Sequence, residues 1–287
     1  MPRSEVFAPA KINLALHVTG RRADGYHLLD SLVAFAPFGD RLTLTPDDGL
    51  WLRVTGPEAA GVPEDASNLV MRAVDLMGPG TGARITLDKH LPAASGIGGG
   101  STDAAAALRG MAALRGDPAL PAGLERLGAD VPMCLDPRPA RTRGIGEELT
   151  PVTLPPLPAV LVNPRVEVST PAVFKALACR ENPPLPEIPR FATVRDCARW
   201  LAAQRNDLEV PAMGIAPQIA EVLAALGATE GCLLSRMSGS GATCFALYES
   251  EAAAAEAQAE IAAARPDWWS ASGTLGDQSA AARPRQV

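Results

Sequence analysis

Apolar and polar residues alternate from Lys11 to Thr19, which places Ile12, Leu14, Leu16 and Val18 on one face of an expected strand. Segments 40–45 and 50–55 read as further strands, and Asp47, Asp48 and Gly49 between them have the chemistry of a hairpin turn. Asn68 stands before an apolar pattern running to Met77, the signature of a capped helix. Ala83 to Lys89 predicts a strand, Asp103 to Leu114 the helix after it, and Leu120 to Leu127 a second short helix. Pro151, Pro155, Pro156 and Pro158 then break the pattern, so a domain boundary is expected there, dividing residues 1–155 from 156–287. Beyond it come a buried-type strand at Ala159–Asn163 and a Pro-rich loop at Pro183–Pro189. Helices are predicted at Arg195–Gln204 and Pro217–Leu226, a strand at Ala242–Tyr248, and an Ala/Glu-rich helix at Ser250–Ala264. The polar tail after about Gly276 is expected to be loose.

Composition narrows the function classes. A net charge of −6 argues against nucleic acid as a partner, because phosphate backbones demand clustered Lys and Arg. No apolar run approaches the roughly 20 residues of a membrane helix, and the first residues do not read as a signal peptide. The five cysteines are scattered without a C-x-x-C pair, and there are only three histidines. That is the pattern of reduced thiols in the cytoplasm rather than a disulfide frame or a zinc site. The pattern specifies no oligomeric state.

The chemistry centres on the stretch from Leu91 to Asp103. Four glycines fall within residues 96–100, followed by Ser101, Thr102, Asp103 and an alanine-rich helix former. Glycine lets backbone approach a ligand closely, and a helix starting there turns unpaired N–H groups and a positive dipole end into the loop. Together they make an anion site, most commonly for phosphate. No lysine follows the glycines, as the Walker A loop requires. The dinucleotide pattern lacks its last glycine, and a helix former follows where a protein kinase has a strand.

The form that remains resembles the phosphate-binding motif of the small-molecule kinase superfamily of galacto-, homoserine, mevalonate and phosphomevalonate kinases. Two further stretches resemble that superfamily's other motifs in the expected order: Pro9 to Leu14, and Arg236 to Phe245. Within it, Gly20-Arg-Arg-Ala-Asp-Gly-Tyr-His27 is similar to the G-x-R-x-D-G-Y-H signature of the 4-diphosphocytidyl-2-C-methyl-D-erythritol kinases. Leu127 to Met133, Gly144 to Glu147, Asn206 to Glu209 and Pro266 to Trp269 also match, so the likeness spans about Ala8 to Leu275. It implies an α+β, two-domain kinase with a ribosomal-protein-S5-like N-terminal half and a ferredoxin-like C-terminal half. It implies transfer of the ATP γ-phosphoryl group to the 2-hydroxyl of a cytidylated methylerythritol, on the non-mevalonate route to isoprenoids. Mg²⁺ is expected with ATP, held mainly by phosphates, because no carboxylate cage is visible in the sequence.

Residue roles follow from the resemblance, beside the plainer reading of each. Asp130 alone is equally an N-cap or turn aspartate; the match makes it the general base. Lys11 alone is able to snorkel from an apolar strand; the match makes it the cation beside Asp130 and the transferred group. Pro92, Ala93, Ala94, Ser95, Gly96, Ile97, Gly98, Gly99, Gly100, Ser101 and Thr102 are expected around the ATP phosphates. Asn68 is placed at the adenine, though a helix cap explains it as well. Tyr26 and His27 are either an ordinary packed turn or a stacking face and a polar edge for cytosine. Asn13 is expected at the acceptor or a phosphate, and Thr170 and Phe174 at the cytidine pocket. Ser238 to Gly241 is a hairpin turn that, by resemblance, also packs beside the phosphate loop. The rival readings are another kinase of the superfamily and a silent ligand sensor on the same scaffold. The Asp-Gly-Tyr-His segment speaks against the first, and the presence of both Lys11 and Asp130 against the second.

Overall fold

Strand β1 (Ser4–Arg21) pairs antiparallel with β2 (His27–Pro46), and their length sets the plan of the molecule, a computed structural model describing residues 2–78 and 80–287. The chain continues through β3 (Leu50–Thr55), α1 (Leu69–Asp75), β4 (Ala83–Asp88), α2 (Gly99–Arg115), α3 (Val131–Leu135), β5 (Ala140–Gly144) and β6 (Glu148–Pro151). It then forms β7 (Leu157–Asn163), α4 (Thr170–Lys175), α5 (Val194–Ala202), α6 (Glu209–Ile215), α7 (Gln218–Ala228), β8 (Leu234–Met237) and β9 (Cys244–Leu247). Last come α8 (Glu251–Ala264), β10 (Trp269–Leu275) and β11 (Arg285–Gln286).

Two sheets result, in a mixed α+β architecture. The first runs β11-β1-β2-β4-β3, with β5 on β2 and β6 on β5; the second runs β10-β7-β9-β8. Twenty residues let β2 serve two partners: Leu29 to Val33 pair with β5, and Arg41 to Pro46 with β4. β1 is covered on both sides. Val6 and Ala8 pack with Leu42, Ala106 and Met111, whereas Ile12 and Leu14 pack with Leu161 and Phe245 of the second sheet. The polar positions between these, Lys11, Asn13 and His17, are buried as well.

Several expectations change. Asp47 to Gly49 does not close a hairpin: β4 lies between β2 and β3, and β3 pairs with β4 in parallel. Parallel neighbours need a crossover, which α1 supplies. The helix expected at 120–127 shrinks to a single 3₁₀ turn at Leu124–Arg126, since Pro121 and Gly123 interrupt it. α2 starts at Gly99, four residues earlier than the expected start at Asp103. The tail is docked rather than loose. Arg285 and Gln286 pair with Glu5 and Ser4, Ala282 is buried, and its carbonyl accepts from the half-buried Arg109 guanidinium at 3.1 Å. No described helix is long and apolar enough to cross a membrane.

Candidate active site

The glycine run folds as the connection from β4 to α2. Gly98 caps α2 in the left-handed region (φ +69°) with no side chain bonded to the first turn, so its leading N–H groups face an open cleft. Ala94 also takes a left-handed φ of +48°. The loop is held from two sides. Pro9 has no N–H for the ladder, the β1–β2 register slips just after it, and the Lys11 N–H donates instead to the Ile97 carbonyl at 2.9 Å. From the second sheet, Ser238 Oγ donates to Gly96 O at 3.1 Å and Thr243 N to Ser95 O at 3.1 Å. Ser238 to Gly241 therefore both turns the chain from β8 to β9 and braces the loop.

The cleft has a volume of about 1270 Å³, more than the roughly 300–1,000 Å³ of a single drug-sized ligand site. Most of the expected loop residues line it, from Pro92 to Gly96 and from Gly98 to Ser101. Ile97 and Thr102 do not. Ile97 is fully buried in the core, and the Thr102 hydroxyl, also buried, donates to Gly99 O at 2.9 Å. Asn68 lines the cleft, but its side chain is committed: Oδ1 accepts from Val70 N at 2.9 Å and Nδ2 donates to Pro63 O at 2.7 Å.

Lys11 Nζ meets Asp130 Oδ2 at 2.6 Å. The lysine side chain is 5% exposed and the aspartate 36%, so the pair presents its carboxylate to the cleft. Asp130 stands at the N-cap position of α3 yet makes no side-chain capping bond. Its geometry is spent on Lys11 instead. Gly98 lies against Lys11, where a Cβ would come within 3.1 Å of the lysine Cβ, so loop and ion pair are in direct contact.

The other lobe gathers Asn13, Tyr26, His27, Thr170 and Phe174. The His27 ring stacks on Phe174 with centroids 4.6 Å apart, and its Nε2 is buried without a partner. Burial, then the charges of Arg21 and Arg180, hold the imidazole pKa below its ordinary value of 6.5. Tyr26 is exposed at the rim. Asn13 Nδ2 donates to Ser31 Oγ at 2.7 Å, leaving Oδ1 buried and unpartnered. The Thr170 and Ser240 hydroxyls are 2.7 Å apart. Among the described residues, Arg21, Lys175 and Arg180 line this lobe without a carboxylate partner, which makes it an anion-attracting end of the cleft.

Two sets of residues have roles that the sequence reading did not assign. Lys89, Asp40 and Asp103 form a buried ionic cluster under the loop, with Lys89 Nζ 2.5 Å from Asp40 Oδ2 and 2.8 Å from Asp103 Oδ2. Burial works against the Lys89 charge, but Asp103 and Asp40 outweigh it and hold its pKa above the usual lysine value. Burial drives the Asp103 carboxyl up to about 8; Lys89 opposes this and Asp40 adds to it. The segment Asn206 to Glu209 is the second set. Asn206 Nδ2 donates to Met237 O and Gly239 O, each at 2.8 Å, Asp207 Oδ2 accepts from Val18 N, and Glu209 Oε2 accepts from Met237 N. These bonds tie the 238–241 turn to β1. The motif's spacing is visible in the sequence, but its purpose is visible only once β1 and β8 are neighbours.

Residues 68–136 match the GHMP kinases N terminal domain and residues 164–267 the GHMP kinases C terminal. A 4-diphosphocytidyl-2-C-methyl-D-erythritol kinase of Dinoroseobacter shibae is 61% identical over 92% of this chain and 92% of its own. One from Roseobacter denitrificans is 54% identical over 98% and 96%. Among solved structures, a 4-(cytidine 5'-diphospho)-2C-methyl-D-erythritol kinase superposes with a TM-score of 0.76 at 38% identity, covering 95% of this chain and 99% of that one. Homoserine kinase from Cytophaga hutchinsonii shares the fold, with a TM-score of 0.67 at 21% identity over 99% and 97%. Identity of this degree over nearly the whole length places the chain in the 4-diphosphocytidyl-2-C-methyl-D-erythritol kinase family of the GHMP kinases.

Proposed function

We propose that the chain transfers the γ-phosphoryl group of ATP to the 2-hydroxyl of 4-diphosphocytidyl-2-C-methyl-D-erythritol, in the cytoplasm. The observation that carries the reading is the Lys11–Asp130 pair seated between the phosphate-type loop and the stacked His27–Phe174 lobe. ATP phosphates lie on the loop and the free N–H groups of α2. The acceptor's cytosine enters the His27–Phe174–Tyr26 lobe, and Arg21, Lys175 and Arg180 face its diphosphate. Asn13 Oδ1, Thr170 and Ser240 supply polar partners along the acceptor.

The acceptor hydroxyl then reaches Asp130. As the new bond from the acceptor oxygen to Pγ forms and the bond from Pγ to the ADP oxygen breaks, the hydroxyl proton passes to Asp130. Lys11 orients the hydroxyl and offsets charge gathering on the transferred group. Mg²⁺ is expected to arrive on the nucleotide. Among the described residues, each carboxylate lining the cleft is already engaged by a cation: Asp24 by Arg22, Asp103 by Lys89, Asp130 by Lys11. When bound, the ion neutralises the β- and γ-phosphates.

The direct test is ADP release from ATP with and without the cytidylated acceptor, repeated with free cytidine diphosphate as competitor. Acceptor-dependent turnover inhibited by cytidine diphosphate is the expected result; turnover with homoserine or mevalonate instead would refute the assignment. The His27 environment adds a pH signature. A pKa held below 6.5 keeps the ring neutral to lower pH than a free histidine. Acceptor KM should therefore stay flat down through pH 6.5 and rise only below it, with ATP KM not following that rise. A rise beginning above pH 6.5 would contradict a neutral His27 in the pocket.

A further inference from the structure

The cluster beneath the glycine loop takes no part in the chemistry above, yet its position is specific. Asp40 Oδ1 accepts N–H bonds from His90 at 2.6 Å and Leu91 at 2.9 Å, the two residues that lead into the loop. Asp103 stands in the first turns of α2, just after the loop. Lys89, at the end of β4, binds both carboxylates and so joins the loop's approach to its exit. Its Nζ also lies within 3.2 Å of where a Cβ on Gly99 would be, directly against the start of α2.

Stability alone does not account for this arrangement. All three side chains are at most 5% exposed, and Asp103 Oδ1 is buried with no partner. Buried ionic groups of this kind are often matched or bettered by apolar residues of similar volume, and an unsatisfied buried acceptor costs free energy. With the Asp103 carboxyl raised by burial, Asp40 balances the Lys89 charge and the cluster places no net positive charge behind a loop suited to anions. A cluster acting only through its charge would not strengthen nucleotide binding.

We infer that Asp40, Lys89 and Asp103 form a clamp that fixes the mouth of the loop and thereby sets nucleotide affinity, while leaving acceptor affinity alone. The inference rests on the reading that this loop holds ATP. The three are positioning residues: none needs to touch the nucleotide.

The test is calorimetric titration with the non-hydrolysable analogue adenylyl imidodiphosphate and Mg²⁺, which needs no acceptor, alongside ATP and acceptor KM and thermal melting. Asp103→Ala should weaken analogue binding and raise ATP KM about tenfold, the worth of one charge-assisted hydrogen bond. Acceptor KM should not move. Asp103→Asn, which still offers Lys89 an acceptor, should recover most of the affinity. A triple variant, Asp40→Asn, Lys89→Met and Asp103→Leu, keeps an acceptor for the His90 and Leu91 N–H groups and replaces the ions with apolar volume. It should melt no lower than wild type and still bind the analogue weakly. Unchanged or tighter analogue binding in Asp103→Ala, or equal losses for both substrates in step with a fall in melting temperature, would overturn the clamp. The reading it rests on fails separately, if the unmodified chain does not bind the analogue.

Discussion

Asp130→Asn is expected to cut turnover by roughly 10²–10⁴-fold, the usual contribution of a positioned general base, with ATP affinity preserved. The substitution keeps the size of the side chain and an oxygen facing Lys11 Nζ, which now sits 2.6 Å from the carboxylate. What it removes is the ability to take a proton. Because Lys11 is nearly buried, the variant also leaves a cation without its counter-charge, so some loss of stability should accompany it. Turnover at saturating ATP, analogue binding and melting temperature separate these effects. A catalytic loss in a folded variant with wild-type nucleotide binding supports the base, whereas near-wild-type turnover would remove Asp130 from the mechanism.

The contrast between Asp130 and the Lys89 cluster shows what the sequence makes legible. Motifs compact in the chain were readable: the glycine run with its following helix, Asn68 capping α1, and the Ala/Glu-rich run that forms α8. Each depends on neighbours a few residues away. Lys11 and Asp130 are 119 positions apart, and only a resemblance to other kinases paired them. Nothing paired Asp40, Lys89 and Asp103: Asp40 and Lys89 read only as ends of expected strands, and Asp103 as the acid closing the glycine-rich stretch. Their burial follows from β4 inserting between β2 and β3, the same non-local event that defeated the hairpin reading of Asp47 to Gly49. α3, α4 and α6 were missed for a different reason. Each is five to seven residues long and carries a proline, so propensity is weak and tertiary packing decides. The tail was misjudged because polarity alone cannot show that Ala282 is buried or that Arg109 reaches its carbonyl.

Gly96→Ala should be the most damaging single-methyl change in the loop. Gly96 has φ +75°, and a Cβ there would lie 2.6 Å from both the Gly241 and Ser238 carbonyl oxygens. A left-handed backbone costs a non-glycine residue about 1–2 kcal/mol. Overpacking against rigid backbone adds about 1–3 kcal/mol, and neither oxygen can swing aside as a side-chain tip would. Relief requires the loop to lift off the 238–241 turn, which breaks the Ser238–Gly96 bond and moves the phosphate-facing backbone. Gly116→Ala isolates the backbone cost: φ is +64° there, and nothing lies within 4 Å of the added methyl. Both variants should melt below wild type, Gly96→Ala further, but only Gly96→Ala should raise ATP KM steeply. Equal melting shifts and equal ATP KM in the two would mean that the turn does not brace the loop. In that case the second sheet would contribute to the acceptor lobe alone, and the tie from Asn206 to the 238–241 turn would have no bearing on nucleotide binding.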